Sequence, residues 1–308
     1  PHCPQTPISI AGPDVVKLRP PLVDGWFGGE PSTLRGMVFM LMAGFCGTLM
    51  GASVRILTSD LHPFEIAFFR ALFGCVFLAP LVFRQGLGLL KSHRMGLQAF
   101  RGCLQGAATM VFFIALSLAP LAKIAALNFT APLFATVLAI VVLGEAIRLR
   151  RITALIVGFA GTMVIVRPGF AGFDLGSGLI LVNAVTLAAI TILIKIVLRS
   201  DTSVTTTVYG FLFALPITAI ASLFVWQMPT WMDLAWLAVI GVLGGLTHLF
   251  FAKSLGEAEV TAVLPMGFAK LIWASIIGYL IFAESPDAWT WLGGAMIFSA
   301  TTYIAFRE

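Results

Sequence analysis

Shifted against itself by 139 positions, the chain lays Asn128-Phe129-Thr130-Ala131-Pro132-Leu133-Phe134-Ala135-Thr136 over Gly267-Phe268-Ala269-Lys270-Leu271-Ile272-Trp273-Ala274-Ser275. At the same shift Leu143-Gly144-Glu145 falls on Phe282-Ala283-Glu284. Upstream, Phe112-Phe113 and Ala115-Leu116-Ser117-Leu118 resemble Phe250-Phe251 and Ala252-Lys253-Ser254-Leu255 at a shift of 137–138, which places a small insertion near Pro265. A constant shift held over several segments is the signature of an internal repeat.

The repeated segments lie in long apolar runs. A helix needs about 20 mostly apolar residues to cross a hydrocarbon core about 30 Å thick. Runs of that kind cover 36–56, 64–84, 97–118, 121–143, 152–168, 178–198, 205–226, 232–253, 259–282 and 289–306. The breaks carry turn chemistry: His62-Pro63, Ala119-Pro120, Arg167-Pro168-Gly169, Met228-Pro229 and Ser285-Pro286-Asp287. Trp226, Trp231, Trp236, Trp289 and Trp291 stand near run ends, where amphipathic rings favour the headgroup zone. The runs are continuous rather than alternating, which excludes membrane strands. The expected fold is an all-α membrane protein of ten transmembrane helices. Residues 34–168 form the first copy (helices 1–5) and 175–308 the second (helices 6–10). Five spans per copy is an odd number, so the two copies lie in the membrane with opposite topology.

Composition agrees. Of 308 residues, 59% are apolar and 11% charged, against about 45–50% and about 25% in soluble domains. Mean hydropathy is +1.00. Such a chain is not an ordinary cytosolic enzyme, a disordered protein or a nucleic-acid binder. Residues 1–33 differ, with Pro1, Pro4, Pro7, Pro13, Pro20, Pro21 and Pro31 and no sustained apolar stretch. They read as a disordered cytoplasmic tail, not a signal peptide. Cys46, Cys75 and Cys103 lie in apolar runs and Cys3 in the tail, without metal-ligand spacing.

The net charge of +5 is a topology signal. The tail, the C-terminus and the loops joining helices 2–3, 4–5, 6–7 and 8–9 carry Lys17, Arg19, Arg35, Arg84, Lys91, Arg94, Arg101, Arg148, Arg150, Arg151, Lys195, Arg199, Lys253 and Arg307. The opposite side has Arg55, Lys123 and Arg167, and Arg70 and Lys270 fall inside spans. The positive-inside rule then puts both termini in the cytoplasm, with the chain in the inner (plasma) membrane. Arg148, Arg150 and Arg151 follow Glu145, whereas Asp287 and no cation follows Glu284, as opposite topology requires.

The ten spans, the five-plus-five repeat and the helix ends Leu143-Gly144-Glu145 and Phe282-Ala283-Glu284 resemble the drug/metabolite transporter superfamily, EamA type, over about residues 34–306. Phe268-Ala269-Lys270-Leu271-Ile272-Trp273-Ala274 with Trp289-Thr290-Trp291-Leu292-Gly293 resembles a bacterial branch often labelled metabolite or S-adenosylmethionine transporters. The resemblance implies alternating access by the two halves and a central cavity lined mainly by helices 1, 3, 4, 6, 8 and 9.

Lys270 is the sharpest site candidate, a cation midway along the run 259–282 that would meet a substrate carboxylate or phosphate. Its counterpart Ala131 shows that the repeat itself does not require the charge. Arg70 lies two turns inside helix 2, within Glu65-Ile66-Ala67-Phe68-Phe69-Arg70, where a structural clamp competes with substrate contact. His248 in helix 8 is a candidate for hydrogen bonding or proton transfer. Gln105, Asn128 and Asn183 offer amides, and Trp273 an aromatic face. For each, interhelical bonding or plain packing is the competing role. Pro132 and Pro265 are expected to interrupt helices 4 and 9 as hinges. Gly47/Gly51, Gly102/Gly106 and Gly241/Gly245 are spaced for close helix contact.

The fourteen Asp and Glu keep to the tail, loops and helix ends. With no mid-membrane carboxylate, facilitated diffusion or exchange is expected rather than proton drive, unless His248 or Lys270 relays protons. No Walker A, HExxH or GxSxG sequence occurs. The expected function is a secondary carrier for a small organic solute, an amino acid or related metabolite bearing an anionic group, with S-adenosylmethionine or a nucleotide-type metabolite as the alternative. A channel and an intramembrane enzyme are the competing classes. The expected partners are the solute, the lipid bilayer and a second copy in a homodimer, with no cofactor, metal or nucleic acid.

Overall fold

The structure, a computed structural model, describes residues 32–58, 60–118, 127–146, 148–166, 175–283 and 288–307. Residues 1–31 of the expected tail, and Lys123, Arg167 and Glu284, lie outside the described residues. Among the described residues every regular element is helical. In chain order they are α1 (Thr33–Leu57), α2 (Pro63–Gln85), α3 (Met95–Leu118), α4 (Ala131–Leu143), α5 (Leu149–Val166), α6 (Leu175–Val197), α7 (Ser203–Leu223), α8 (Trp231–Glu257), α9 (Lys270–Phe282) and α10 (Ala288–Arg307). A 3-10 turn, Leu87–Leu90, precedes α3, and α9 is entered through a helical turn, Val260–Val263, and a 3-10 stretch, Leu264–Ala269.

Thr33–Leu57, Pro63–Arg84, Gly178–Val197, Ser203–Leu223, Trp231–Glu257 and Val260–Ile281 are long and apolar enough to cross a membrane, with shorter apolar helices at Ala131–Leu143 and Trp291–Ala300. Local chemistry sets the starts. His62 accepts from the Phe64 N–H ahead of Pro63 in the first turn of α2. Thr202 accepts from the Thr205 N–H at α7. Thr230 and Asp233 form a reciprocal capping box at α8. Trp226, Trp231, Trp289 and Trp291 are exposed at helix ends.

The helix pairing is symmetric. α1 packs on α8 and α3 on α6; α2 packs on α8 and α3 on α7; α1 packs on α9 and α4 on α6; α2 meets α7 and α5 meets α10. Exchanging each helix for the one five places along returns the same pairs. Each of these pairs also joins the first copy to the second, so the two copies interdigitate and the core lies between them. Glycine permits the closest approaches. A Cβ on Gly102 would stand 2.5 Å from the Phe213 Cβ, and on Gly106 3.1 Å from the Ile217 Cβ, where α3 meets α7. At the repeat-related positions, a Cβ on Gly241 would stand 2.3 Å from the Phe73 Cβ, and on Gly245 2.7 Å from the Phe77 Cδ1, where α8 meets α2. The third pair departs from the sequence reading: Gly47 faces Thr247 at 3.3 Å, but Gly51 has nothing within 4 Å.

The runs 121–143 and 259–282 are not continuous helices. In the first copy, Leu127 and Asn128 are helical, Phe129 and Thr130 form a turn, and α4 begins at Ala131; in the second, the span Val260–Ile281 tightens to 3-10 geometry over Leu264–Ala269 before α9 begins at the repeat-related Lys270. α4 and α9 each have 13 residues. Both end in a left-handed cap, Gly144 at φ 69° and Ala283 at φ 54°. Pro132 stands where the run 121–143 is interrupted, just past the turn at residues 129–130. It sits in the first turn of α4, where a missing N–H leaves no broken bond. Pro265 opens the 3-10 stretch in the same manner.

These contacts make a stability prediction. Gly241→Ala forces α8 off Phe73 and costs about 1–3 kcal/mol, whereas Gly51→Ala stays within about 0.5 kcal/mol. Thermal unfolding of both variants in detergent measures the difference, and equal midpoints would refute the packing argument.

Candidate functional site

A cavity of about 350 Å³ lies where the two copies meet, within the ~300–1,000 Å³ typical of small-molecule sites. Its wall comes from α1 (Met40, Ala43, Gly44, Gly47), α3 (Gln105), the approach to α4 and its first turns (Asn128, Phe129, Ala131, Pro132, Ala135), α6 (Leu187, Ala188, Ile190, Thr191, Ile194), α8 (Thr247, His248, Phe251) and the entry to α9 (Leu264, Gly267, Lys270). Both helix breaks thus open onto this space.

Lys270 lies near the middle of the span Val260–Ile281, as the sequence suggests, at the point where the 3-10 stretch passes into α9. Lys270 is exposed to the cavity, and among the described residues its ammonium has no bonded partner. This unpaired cation makes its end of the cavity electropositive. Gly44 packs beside it, where a Cβ would make ordinary contact 3.7 Å from that of Lys270. The Thr48 hydroxyl bonds the Gly44 carbonyl at 2.8 Å and the Lys270 carbonyl at 3.4 Å.

The other candidates separate. His248, Gln105 and Asn128 line the cavity, and the buried Asn128 Oδ1 has no protein partner. Arg70 lines a small polar pocket beside it. Asn183 and Trp273 are not among the lining residues. Asn183 is 2% exposed on α6. Trp273 turns edge-on to Phe45, with ring centroids 5.2 Å apart. One turn past Lys270 its ring lies against α1, because α1 crosses α9 at this level. The adjacency of Glu65 and Arg70 in sequence does not become a pair: Glu65 is buried and accepts from the Gln227 N–H at 3.3 Å.

Polar bonds gather around Glu145 and the end of α8, most of them joining the two copies. Glu145, just past α4, accepts from the N–H groups of Val260 at 2.8 Å and Thr261 at 2.9 Å. The Arg151 guanidinium reaches Glu259 and donates to the Thr261 hydroxyl at 2.8 Å. The Lys195 ammonium donates to the carbonyls of Leu255 and Ala258 at the end of α8. Glu257 accepts from the Ser32 N–H at 3.1 Å and faces Arg35 at 3.5 Å. On the same face Asp201 accepts from Ser92, the His93 N–H and the Gln98 amide.

Sequence reasoning passed over Arg101, Lys195 and Glu145 as site residues. It assigned the two cations to a charged membrane face, yet Arg101 is 3% exposed and Lys195 bonds inward. The available signal was position: both fall inside the apolar runs 97–118 and 178–198.

The EamA-like transporter family matches residues 34–167 and again 174–306. An S-adenosylmethionine uptake transporter of Rickettsia felis is 30% identical over 89% of this chain and 94% of its own length. A riboflavin transporter of Rhizobium johnstonii is 28% identical over 91% and 94%. A solved crystal structure shares the fold, with a TM-score of 0.72 at 18% identity over 89% of this chain and 97% of that one.

The tie at Glu145 is testable. Glu145→Ala strands two backbone donors and lowers stability by about 1–3 kcal/mol, and Glu145→Gln, which keeps one carbonyl acceptor, loses less. Thermal unfolding of the three proteins checks this; indistinguishable midpoints would show that the carboxylate does not hold the copies together.

Proposed function

Because the chain belongs to the EamA-like transporter family, we propose that it is a ten-helix secondary carrier of five-plus-five inverted repeats, moving a small metabolite with an anionic group by alternating access. It is a multi-pass membrane protein that transports and does not catalyse. One observation carries the proposal. Two repeat-related helices break beside one cavity, and the break in the second presents Lys270. Broken helices whose half-helix ends face a midplane site suit a carrier of anionic solutes. Gly267 and Lys270 stand opposite Asn128 and Ala131 in the repeat, so the two walls have the same backbone but different charge. That asymmetry gives the solute a fixed orientation.

The end tied by Glu145, Arg151 and Lys195 is the closed gate of this state in the proposed cycle. The positive-inside distribution makes it the cytoplasmic one, with both termini on that side of the inner membrane. The copies interdigitate, so opening requires α4 and α5 to part from the α8–α9 connection. In this scheme the solute is exchanged as the bonds re-form at the other end.

The relatives narrow the solute to two chemistries. S-adenosylmethionine carries a carboxylate that Lys270 would meet, and it is the reading favoured by the 30% identical relative. Riboflavin, the solute named for the second relative, has no ionised group at neutral pH and gains little from an ammonium. Purified protein in proteoliposomes, assayed with labelled S-adenosylmethionine, riboflavin and amino acids, separates them. The expected outcome is saturable uptake and counterflow of S-adenosylmethionine, reduced roughly tenfold or more by Lys270→Ala, the loss of one charge-assisted contact. Undiminished transport of carboxylate solutes through the variant would overturn the anion-site reading, and riboflavin transport indifferent to the variant would favour the other solute.

The carboxylates remain at the edges, with none lining the cavity among the described residues. Transport is therefore expected to run to equilibrium, or by exchange, without a proton. Imposing a pH gradient of either sign leaves the final distribution of solute unchanged, and uphill accumulation would refute this.

A further inference from the structure

Beside the cavity, between α2, α3, α7 and α8, lies a second, smaller pocket whose polar lining is Arg70, Arg101, Gln105, Thr206, Thr207 and His248, set among apolar residues such as Ile194 and Phe211. Its volume, about 20 Å³, suffices for about one water-sized sphere. Gln105 and His248 line both spaces, so the pocket is an annexe of the cavity.

Two guanidiniums face it. Arg101 is 3% exposed. One of its terminal nitrogens bonds the Thr206 carbonyl and lies 3.2 Å from the Gln98 Oε1, but its Nε is buried with no partner. Gln98 stands between Arg101 and Asp201, donating to the Asp201 Oδ2 at 3.0 Å. Among the described residues Arg70 makes no hydrogen bond and no ion pair. No carboxylate lines the pocket. The surrounding backbone leaves room for both side chains. A Cβ on Gly210 would lie 3.1 Å from an Arg101 terminal nitrogen, and one on Gly244 3.3 Å from the Arg70 Cγ.

Arginine keeps its charge in proteins. Two such charges at one membrane-embedded pocket, without a carboxylate in its wall, lack a counter-ion. The Thr206 hydroxyl and the Gln105 amide add donors, the Thr207 hydroxyl proton being given to the Ser203 carbonyl. We propose that the pocket at Arg70 and Arg101 is an anion site holding one small monovalent anion, either a free halide or the carboxylate of a solute entering past Gln105 and His248. The second source rests on the carrier reading above; the first does not.

The test measures binding, independently of transport. Thermal unfolding of the full chain in detergent is followed at constant ionic strength as chloride replaces a bulky sulfonate. The wild-type midpoint rises saturably with chloride. Arg70→Gln and Arg101→Gln each raise the half-saturating chloride roughly tenfold or more, as loss of a charge-assisted contact requires. Arg84→Gln, an exposed cation at the end of α2 that lines neither space, responds as the wild type does. Arg101→Lys keeps the charge without the fork and retains a weaker response, which covers failure of the glutamine variant to fold. Acetate that competes with chloride identifies a solute carboxylate as an occupant; acetate that does not compete leaves an inorganic ion. A wild type without saturable response to either ion, or arginine variants that respond as the wild type does, would overturn the proposal.

Discussion

A backbone in hydrocarbon must bond to itself, because no water is there to take unpaired N–H and C=O groups. At the depth of the apolar runs the helical bonding pattern changes, to a turn before α4 and to 3-10 geometry before α9. Such an irregularity persists beside a cavity or under close protein cover, and both are present. The Leu127 carbonyl accepts from the Thr130 N–H at 3.0 Å in the first copy. In the second, the 3-10 turns from Leu264 to Ala269 are buried except at Gly267, which faces the cavity. The cavity and the broken helices therefore require each other. Lys270 is exposed because it stands at that break, and its charge is tolerated because the break is wet.

The same geometry explains why the copies are not two side-by-side domains. Every main helix pairing joins one copy to the other, so neither half has an adequate core alone. Close approach without a β-carbon at Gly102, Gly106, Gly241 and Gly245 brings the backbones together. Polar ties gather on one face, from Glu145 and Arg151 to Lys195 and Asp201. Most go from a side chain to a backbone end, so each ion finds a partner without a buried charge pair. A carrier can break such bonds and re-form them at modest cost, as the proposed cycle requires.

The repeat was legible from residues 128–136 and 267–275, and helix ends from turn chemistry such as His62-Pro63 and Met228-Pro229. Pro132 and Pro265 pointed to the irregular stretches, but not to their geometry, because apolar residues continue through them and hydropathy does not register backbone conformation. Trp273 and Asn183 carried suitable chemistry but point to α1 and into packed α6 surroundings. A turn of helix rotates neighbouring residues to different faces, and only the crossing partner decides which face meets the cavity. Arg101 and Lys195 looked like headgroup cations because they lie near run ends. They turn inward because backbone carbonyls accept them there: Thr206 of the other copy for Arg101, and Leu255 and Ala258 at the end of α8 for Lys195.

By itself, then, the sequence determined the solvent of this protein, its helical class and its duplication, since these depend on composition and spacing that no partner can alter. Tertiary structure decided where the helices break, which polar residues share a cavity and which close it. Those properties depend on contacts between residues more than a hundred positions apart, as between Glu145 and Val260. Lys270 shows the division: its charge inside an apolar run is plain in the sequence, but the helix end and open space that give it a use exist only once the copies interlock.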